Sequence, residues 1–227
     1  MICKLNNIPR ILAKVTMLLS LFCFLSTSNL VGQDINLGVK GGLNYSSIVG
    51  DLTEGIKFRF SGHAGVFVES EFSDKFSLQS ELLYSSQGFQ FSSDLQALEN
   101  NGATFDENDF RTNVQLNYLT VPILGKFALN DRLEVEFGPQ FGFLLNQVSK
   151  IKNLDQRDET IPDNRTTTPG NFQLDYGVVA GLALDINDVL AIEPRFYIGL
   201  RNRLNGLDGT LLNYNVAIQV SANYLLF

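Results

Sequence analysis

The sequence predicts an all-β protein: an eight-stranded antiparallel up-and-down transmembrane β-barrel with an N-terminal signal peptide. Three observations carry this expectation. Apolar and polar residues alternate with period two along eight segments from Ile35 onward, the pattern of strands with one apolar face. Short turns alternate with longer polar loops, as successive hairpins of an up-and-down barrel require. A leader-like segment precedes the first strand, which places the chain outside the cytoplasm.

The leader comes first in the chain. Lys4, Arg10 and Lys14 precede an uncharged apolar run, VTMLLSLFCFL, which gives way to the small and polar STSNLVGQ. Basic, apolar and cleavage regions in that order mark a secretory signal peptide. The apolar run is shorter than the ~20 residues of a spanning helix. Bulky Phe22 stands where lipidation of Cys23 would need a small residue. The expected division is therefore 1–32, removed on export, and 33–227, the barrel domain. Both cysteines, Cys3 and Cys23, lie in the leader. The mature chain is then expected to carry no disulfide, thiolate nucleophile or cysteine metal site.

Composition agrees with an envelope protein. Charged residues make up 18% of the 227, below the roughly 25% of an average soluble domain. The formal charge of −7 argues against a nucleic-acid partner, which usually demands a basic patch.

The eight strands read in order. INLGVKGGLNYSS sets Ile35, Leu37, Val39, Leu43 and Tyr45 against Asn36, Gly38, Lys40, Gly42 and Asn44. IKFRFSGHAGVFVES sets Phe58, Phe60, Ala64, Val66 and Val68 against Lys57, Arg59, Ser61, His63 and Glu69. FSLQSELLYSSQGF follows, with Gln79, Glu81 and Gln87 on the polar face. VQLNYLTVPILGKFAL is less regular, and Pro122 predicts a bulge there. RLEVEFGPQFGFLL, FQLDYGVVAGLALDI, VLAIEPRFYIGLRN and LLNYNVAIQVSANYLLF complete the set. Short turns are expected at Ser73–Lys75, Asn130–Asp131 and Asn187–Asp188, and long loops at 49–55, 92–113, 147–171 and 203–210.

Alternation alone does not say which face points outward. A soluble lipocalin-like barrel would put the apolar face inside. The predicted export, the long strands and two sets of aromatics near the strand ends favour a membrane. Tyr45, Phe58, Tyr84, Phe143, Phe172 and Tyr214 lie toward the long loops; Phe72, Phe76, Phe127 and Tyr224 lie toward the short turns. The polar face then fills the lumen. Its charged members are Lys40, Lys57, Arg59, Lys126, Arg195 and Arg201 against Glu69, Glu81, Glu134, Glu136, Asp175 and Glu193, with His63 beside them. An eight-stranded barrel has room only for side chains. Unpaired buried charges are costly, so a paired structural network that plugs the lumen is expected, rather than an ion or proton path.

At this point the chain resembles a family. LNYLTVPILGKF is similar to the fourth-strand signature, Y-L-x-[IV]-P, of the PorT-type outer-membrane β-barrel proteins of Bacteroidetes. GVKGGLNYSS, LQSELLYSSQGF, VEFGPQFGFLL and PRFYIGLRN resemble that family's other strands in order and spacing. The resemblance implies a small porin-like barrel in the outer membrane of a Gram-negative bacterium. The family's founding member is linked to type IX secretion, most relatives are unassigned, and no catalytic residues carry over.

Little in the residues points to chemistry. His63, the single histidine, shares its face with Ser61, Glu69 and Glu81; a Ser–His–acid site needs these in mutual contact, and a hydrogen-bonded structural histidine is the simpler reading. Glu99, Asp106, Glu107 and Asp109 on the first long loop are oxygen ligands of the kind Ca²⁺ takes. They lack EF-hand spacing, and a solvated charged surface is simpler. No catalytic, metal or cofactor residue is assigned, and no phosphate-binding, dinucleotide or zinc motif is present.

The expected function is a non-enzymatic outer-membrane barrel with both termini periplasmic. Its partners would be outer-membrane lipid, lipopolysaccharide and the barrel-assembly machinery, the last reading Phe227 as a terminal aromatic signal. Either long loop, 92–113 or 147–171, offers a surface to an unidentified protein partner. Envelope maintenance and support of secretion are the roles considered, with a narrow solute channel or a lipid-modifying enzyme as alternatives. Because Tyr224 and Phe227 are three residues apart, a bulge near Leu225 is one way to bring Phe227 into the outward phase.

Overall fold

A computed structural model describes residues 35–51, 53, 55–92, 110–153, 164–203 and 211–226. The leader, the carboxylates Glu99, Asp106, Glu107 and Asp109, and Phe227 lie outside them. Eight strands close into one barrel in chain order, every neighbouring pair antiparallel. They are β1 (Ile35–Gly50), β2 (Ile56–Ser73), β3 (Phe76–Ser92), β4 (Phe110–Asn130), β5 (Leu133–Asn153), β6 (Asn164–Asn187), β7 (Leu190–Gly199) and β8 (Asn213–Leu225).

Closure satisfies the backbone. In lipid an open sheet edge would leave N–H and C=O groups without partners. Here β1 pairs with β8 from Gly38↔Leu225 to Gly50↔Asn213 without a register shift. Leu226 N–H continues the contact by donating to Leu37 O at 2.8 Å. No bulge therefore interrupts the alternation as far as Leu225.

The short turns fall where expected, and asparagine explains two of them. Asn187 Oδ1 accepts the N–H groups of Val189 (3.0 Å) and Leu190 (2.9 Å). Asn130 Oδ1 accepts that of Arg132 at 3.0 Å. An asparagine side chain that folds back on its own backbone fixes such a reversal.

The apolar face points outward. Val39, Leu43, Phe60, Phe137, Tyr176 and Ile218 are among its exposed residues, while polar partners on the opposite phase are buried. Aromatic contacts form at both ends: Tyr45 stacks on Phe58 with centroids 4.6 Å apart, and Phe76 meets Phe127 at 4.9 Å. Interfacial aromatic girdles have this arrangement.

Two boundary expectations are corrected. Residues 147–153 and 164–171, read as loop, belong to β5 and β6, and β4 begins at Phe110 rather than Val114. Polar residues extend these strands because an antiparallel ladder needs backbone pairing, not an apolar face. The β5–β6 pair absorbs its irregularity in a bulge between Leu144 and Asn146, opposite Asn171 and Phe172 with φ of 50° and 52°. Pro122, by contrast, makes no bulge. The β4–β5 shifts fall at Asn117/Tyr118 and, beside the turn, at Ala128/Asn130, and register holds on both sides of the proline. A missing N–H removes a ladder bond without inserting a residue.

Candidate functional site

The candidate site is the lumen. Eight of the charged residues predicted to face inward meet in one chain of ion pairs: Lys40, Glu69, Glu81, Lys126, Glu134, Glu136, Glu193 and Arg195. Six of the eight strands supply them. Lys40 Nζ contacts Glu81 Oε1 at 2.8 Å and also bonds Glu193 Oε2. Arg195 grips Glu136 with both Nε and Nη2, the latter at 2.8 Å. The same Nη2 lies 2.7 Å from Glu81 Oε1 and 2.7 Å from Glu193 Oε2. Gln79 Nε2 donates to Glu81 Oε1 at 2.6 Å. Toward the short turns, Lys126 Nζ sits 2.7 Å from Glu134 and 3.2 Å from Glu69. Planar, bidentate guanidinium contacts suit such a crowded set better than a lysine would.

Glycine makes the central contact. In register, Glu136 faces Gly181, and Gly181 faces Arg195. The two charged side chains therefore meet across a strand that separates them. A Cβ on Gly181 would lie 2.6 Å from Glu136 Oε1 and 2.8 Å from Arg195 Cγ, inside van der Waals contact. The same device recurs one seam away. His63, Gly42 and Ser221 form a row on β2, β1 and β8, and a Cβ on Gly42 would lie 2.8 Å from His63 Cε1.

The histidine contacts differ from the expected ones. His63 Nδ1 lies 2.8 Å from Asn44 Oδ1, and Nε2 lies 2.8 Å from Ser221 Oγ. Asn44 Nδ2 donates to Ser86 O at 2.8 Å, which fixes Oδ1 as the acceptor. Nδ1 of the neutral ring therefore carries the proton and Nε2 accepts from Ser221. Ser61 instead donates to Ser86 O at 2.6 Å; Glu69 and Glu81 belong to the ion-pair chain. A hydroxyl–imidazole–amide relay thus exists, but Asn44, His63 and Ser221 are all buried, and none lines a described cavity. Nucleophilic catalysis also needs an approach path for substrate, and neither described cavity supplies one.

The remaining predicted residues lie apart from the ion-pair chain. Arg59 Nε donates to Asn113 Oδ1 at 2.8 Å, nearer the long loops. Asp175 Oδ2 accepts from Asn215 Nδ2 at 2.5 Å, and Asn215 also donates to Tyr118 OH at 3.3 Å. Arg203, read as the start of a loop, donates to the same hydroxyl at 3.0 Å. Arg201 lies past the end of β7 at Gly199; it bonds the Leu174 carbonyl and lines the small long-loop cavity with Asp175 and Arg203, apart from the ion-pair chain. One expectation is corrected here. Lys57 is exposed at the long-loop end and makes no ion pair among the described residues.

Nor is the interior polar throughout. Leu124, Val179, Tyr197 and Ala217 form a buried cluster, and Phe67 and Leu83 also face inward, 2% and 3% exposed. Val179, Tyr197 and Ala217 form the row directly above Gly181, Arg195 and Gln219. In so narrow a lumen inward side chains meet each other and not water, so apolar residues fit there as well. Sequence alone hid Phe67, because Val66, Phe67 and Val68 are all apolar and give no phase.

A family model for the outer membrane protein beta-barrel domain matches residues 27–205. The chain belongs to that family. It is an integral outer-membrane β-barrel protein. Among solved structures, Neisserial surface protein A is 9% identical, with 85% of this chain and 98% of that chain covered and a TM-score of 0.47. Ail of Yersinia pestis, in complex with the heparin analogue sucrose octasulfate, is 10% identical, with 85% and 99% covered and a TM-score of 0.45. CarO2 of Acinetobacter baumannii is 10% identical, with 84% and 99% covered and a TM-score of 0.42. No curated protein matches the chain.

Proposed function

We propose that the protein is a non-enzymatic outer-membrane barrel, plugged by its own side chains, that presents its long-loop end to a partner or surface. Envelope maintenance or support of protein secretion is the role this suits. The leader 1–32 is removed on export in this reading, and both termini of the mature chain face the periplasm. Assignment to the PorT-type barrels of Bacteroidetes rests on Tyr118-Leu119-Thr120-Val121-Pro122 and the order of the strand segments. Tyr118 and Pro122 of that motif are both buried in the barrel.

The observation that carries the plug is the filled cross-section. Lys40, Glu81, Glu136, Glu193 and Arg195 occupy the lumen with 0–4% of their surface exposed. The cavity of about 280 Å³ at the short-turn mouth and that of about 50 Å³ near the long loops share no lining residue.

Planar-bilayer recording tests the plug. The wild-type monomer is expected to show no stable single-channel current. Steady currents abolished by Glu134→Ala or Arg195→Ala would replace the plug with a narrow channel. A pull-down from native membranes tests the presenting role. Enrichment of envelope or secretion components that is lost when residues 93–109 or 154–163 are exchanged for Gly/Ser linkers is the supporting result.

A further inference from the structure

The short-turn mouth holds a cavity that the plug does not use. Its volume is about 280 Å³, and six carboxylates line it against two cations, Lys126 and Arg132. Glu69 and Glu134 are already engaged with Lys126. Among the described residues, Glu71 accepts only the neutral Asn36 amide, at 2.8 Å. Asp185 has no side-chain hydrogen bond or ion pair among the described residues. Charge at this mouth is therefore strongly negative and incompletely answered.

A second observation is independent of the acids. Asn223 on β8 also lines the cavity. It is 4% exposed, and its Oδ1 is buried with no hydrogen-bond partner. A buried amide oxygen without a donor is costly, and the missing partner is an N–H or O–H. Part of the remaining wall is apolar: Phe67, Ala191 and Leu225 lie among the charges, beside the polar Asn187.

Negative charge, an unanswered acceptor and apolar wall together select one ligand chemistry. A bare metal ion would want several carboxylates converging on a point, and no such group occurs among the described residues. An anion is repelled. Ammonium groups joined by methylenes answer all three features, since the heads meet carboxylates and Asn223 Oδ1 while the stem covers the apolar wall. We propose that the short-turn mouth binds a small aliphatic polyamine, with Glu71 and Asp185 answering its charge and Asn223 Oδ1 accepting one of its N–H groups. This is independent of whether the lumen conducts and of what the loops bind.

Isothermal titration of spermidine into the full barrel in zwitterionic micelles, at low ionic strength, tests it. One saturable site per barrel is expected. Asp185→Asn and Asn223→Ala are each expected to weaken binding about tenfold. Asp74→Asn removes one charge from the same end outside the cavity and is expected to change affinity less than twofold. Hexylamine, with one charge, is expected to bind at least tenfold more weakly. Heat-modifiable gel mobility confirms that every variant is folded. Absence of saturable spermidine binding overturns the proposal. So does Mg²⁺ displacing spermidine at equal or lower concentration, or an Asp74→Asn effect as large as that of Asp185→Asn.

Discussion

Replacing Arg195 by methionine tests how the lumen is held. The substitution removes a guanidinium that contacts Glu136, Glu81 and Glu193, yet the three carboxylates do not lose equally. Glu81 Oε1 keeps Lys40 and Gln79, and Glu193 Oε2 keeps Lys40. Glu136 loses both hydrogen bonds described for it, at 0% exposure. The cost should therefore approximate one uncompensated buried charge, about 3–5 kcal/mol, rather than three times that. Removing the orphaned charge as well, in Arg195→Met/Glu136→Met, should recover most of the loss, because an apolar pair of similar volume is often near neutral. Urea unfolding of refolded barrel in lipid vesicles measures all four members of the cycle. The chain has no tryptophan, so far-UV circular dichroism or tyrosine emission must report. The reasoning is refuted if Arg195→Met costs less than about 1 kcal/mol, or if the two substitutions simply add when the coupling expected is of order 3 kcal/mol.

Three further outcomes follow from the geometry. Gly181→Ala should destabilise by about 1–3 kcal/mol through steric overlap, and by a similar amount in the Arg195→Met background, because the backbone Pro194 O, 2.7 Å from the added Cβ, stays in place; the same urea titration measures both. Asn187→Ala should cost about 1 kcal/mol by freeing two backbone donors at the β6–β7 turn, with Asn187→Asp retaining most of it. A fluorophosphonate probe should fail to label Ser221 in the folded barrel, and His63→Ala should leave the lipid A mass spectrum of an expressing strain unchanged; labelling that depends on His63 would restore the enzyme reading.

Much of this protein is legible without coordinates. Period-two alternation marks the strands because a pleated chain presents successive side chains to opposite faces. The asparagine turns and the long polar segments order those strands into hairpins. Even the lumen charges Lys40, Glu81, Glu136, Glu193 and Arg195 are readable by phase, since each follows its strand's polar register. Where the phase is ambiguous the reading weakens. Phe67 sits in an unbroken apolar run, and Arg201 keeps the polar phase of β7 after the strand itself has ended.

Register across strands is a different kind of information. Which residues face one another depends on the stagger that closes the barrel, and a single residue of slip would change every partner. That stagger puts Gly181 between Glu136 and Arg195, and Gly42 between His63 and Ser221. In sequence each is only one more small residue in a strand. It likewise gives His63 the amide of Asn44 rather than a carboxylate, and it gathers six acids with the unanswered Asn223 at one mouth. The sequence by itself determined the strands, their order and which face is polar, because these depend on local alternation. Only the closed barrel decided which polar groups meet, because that depends on distances between strands far apart in the chain.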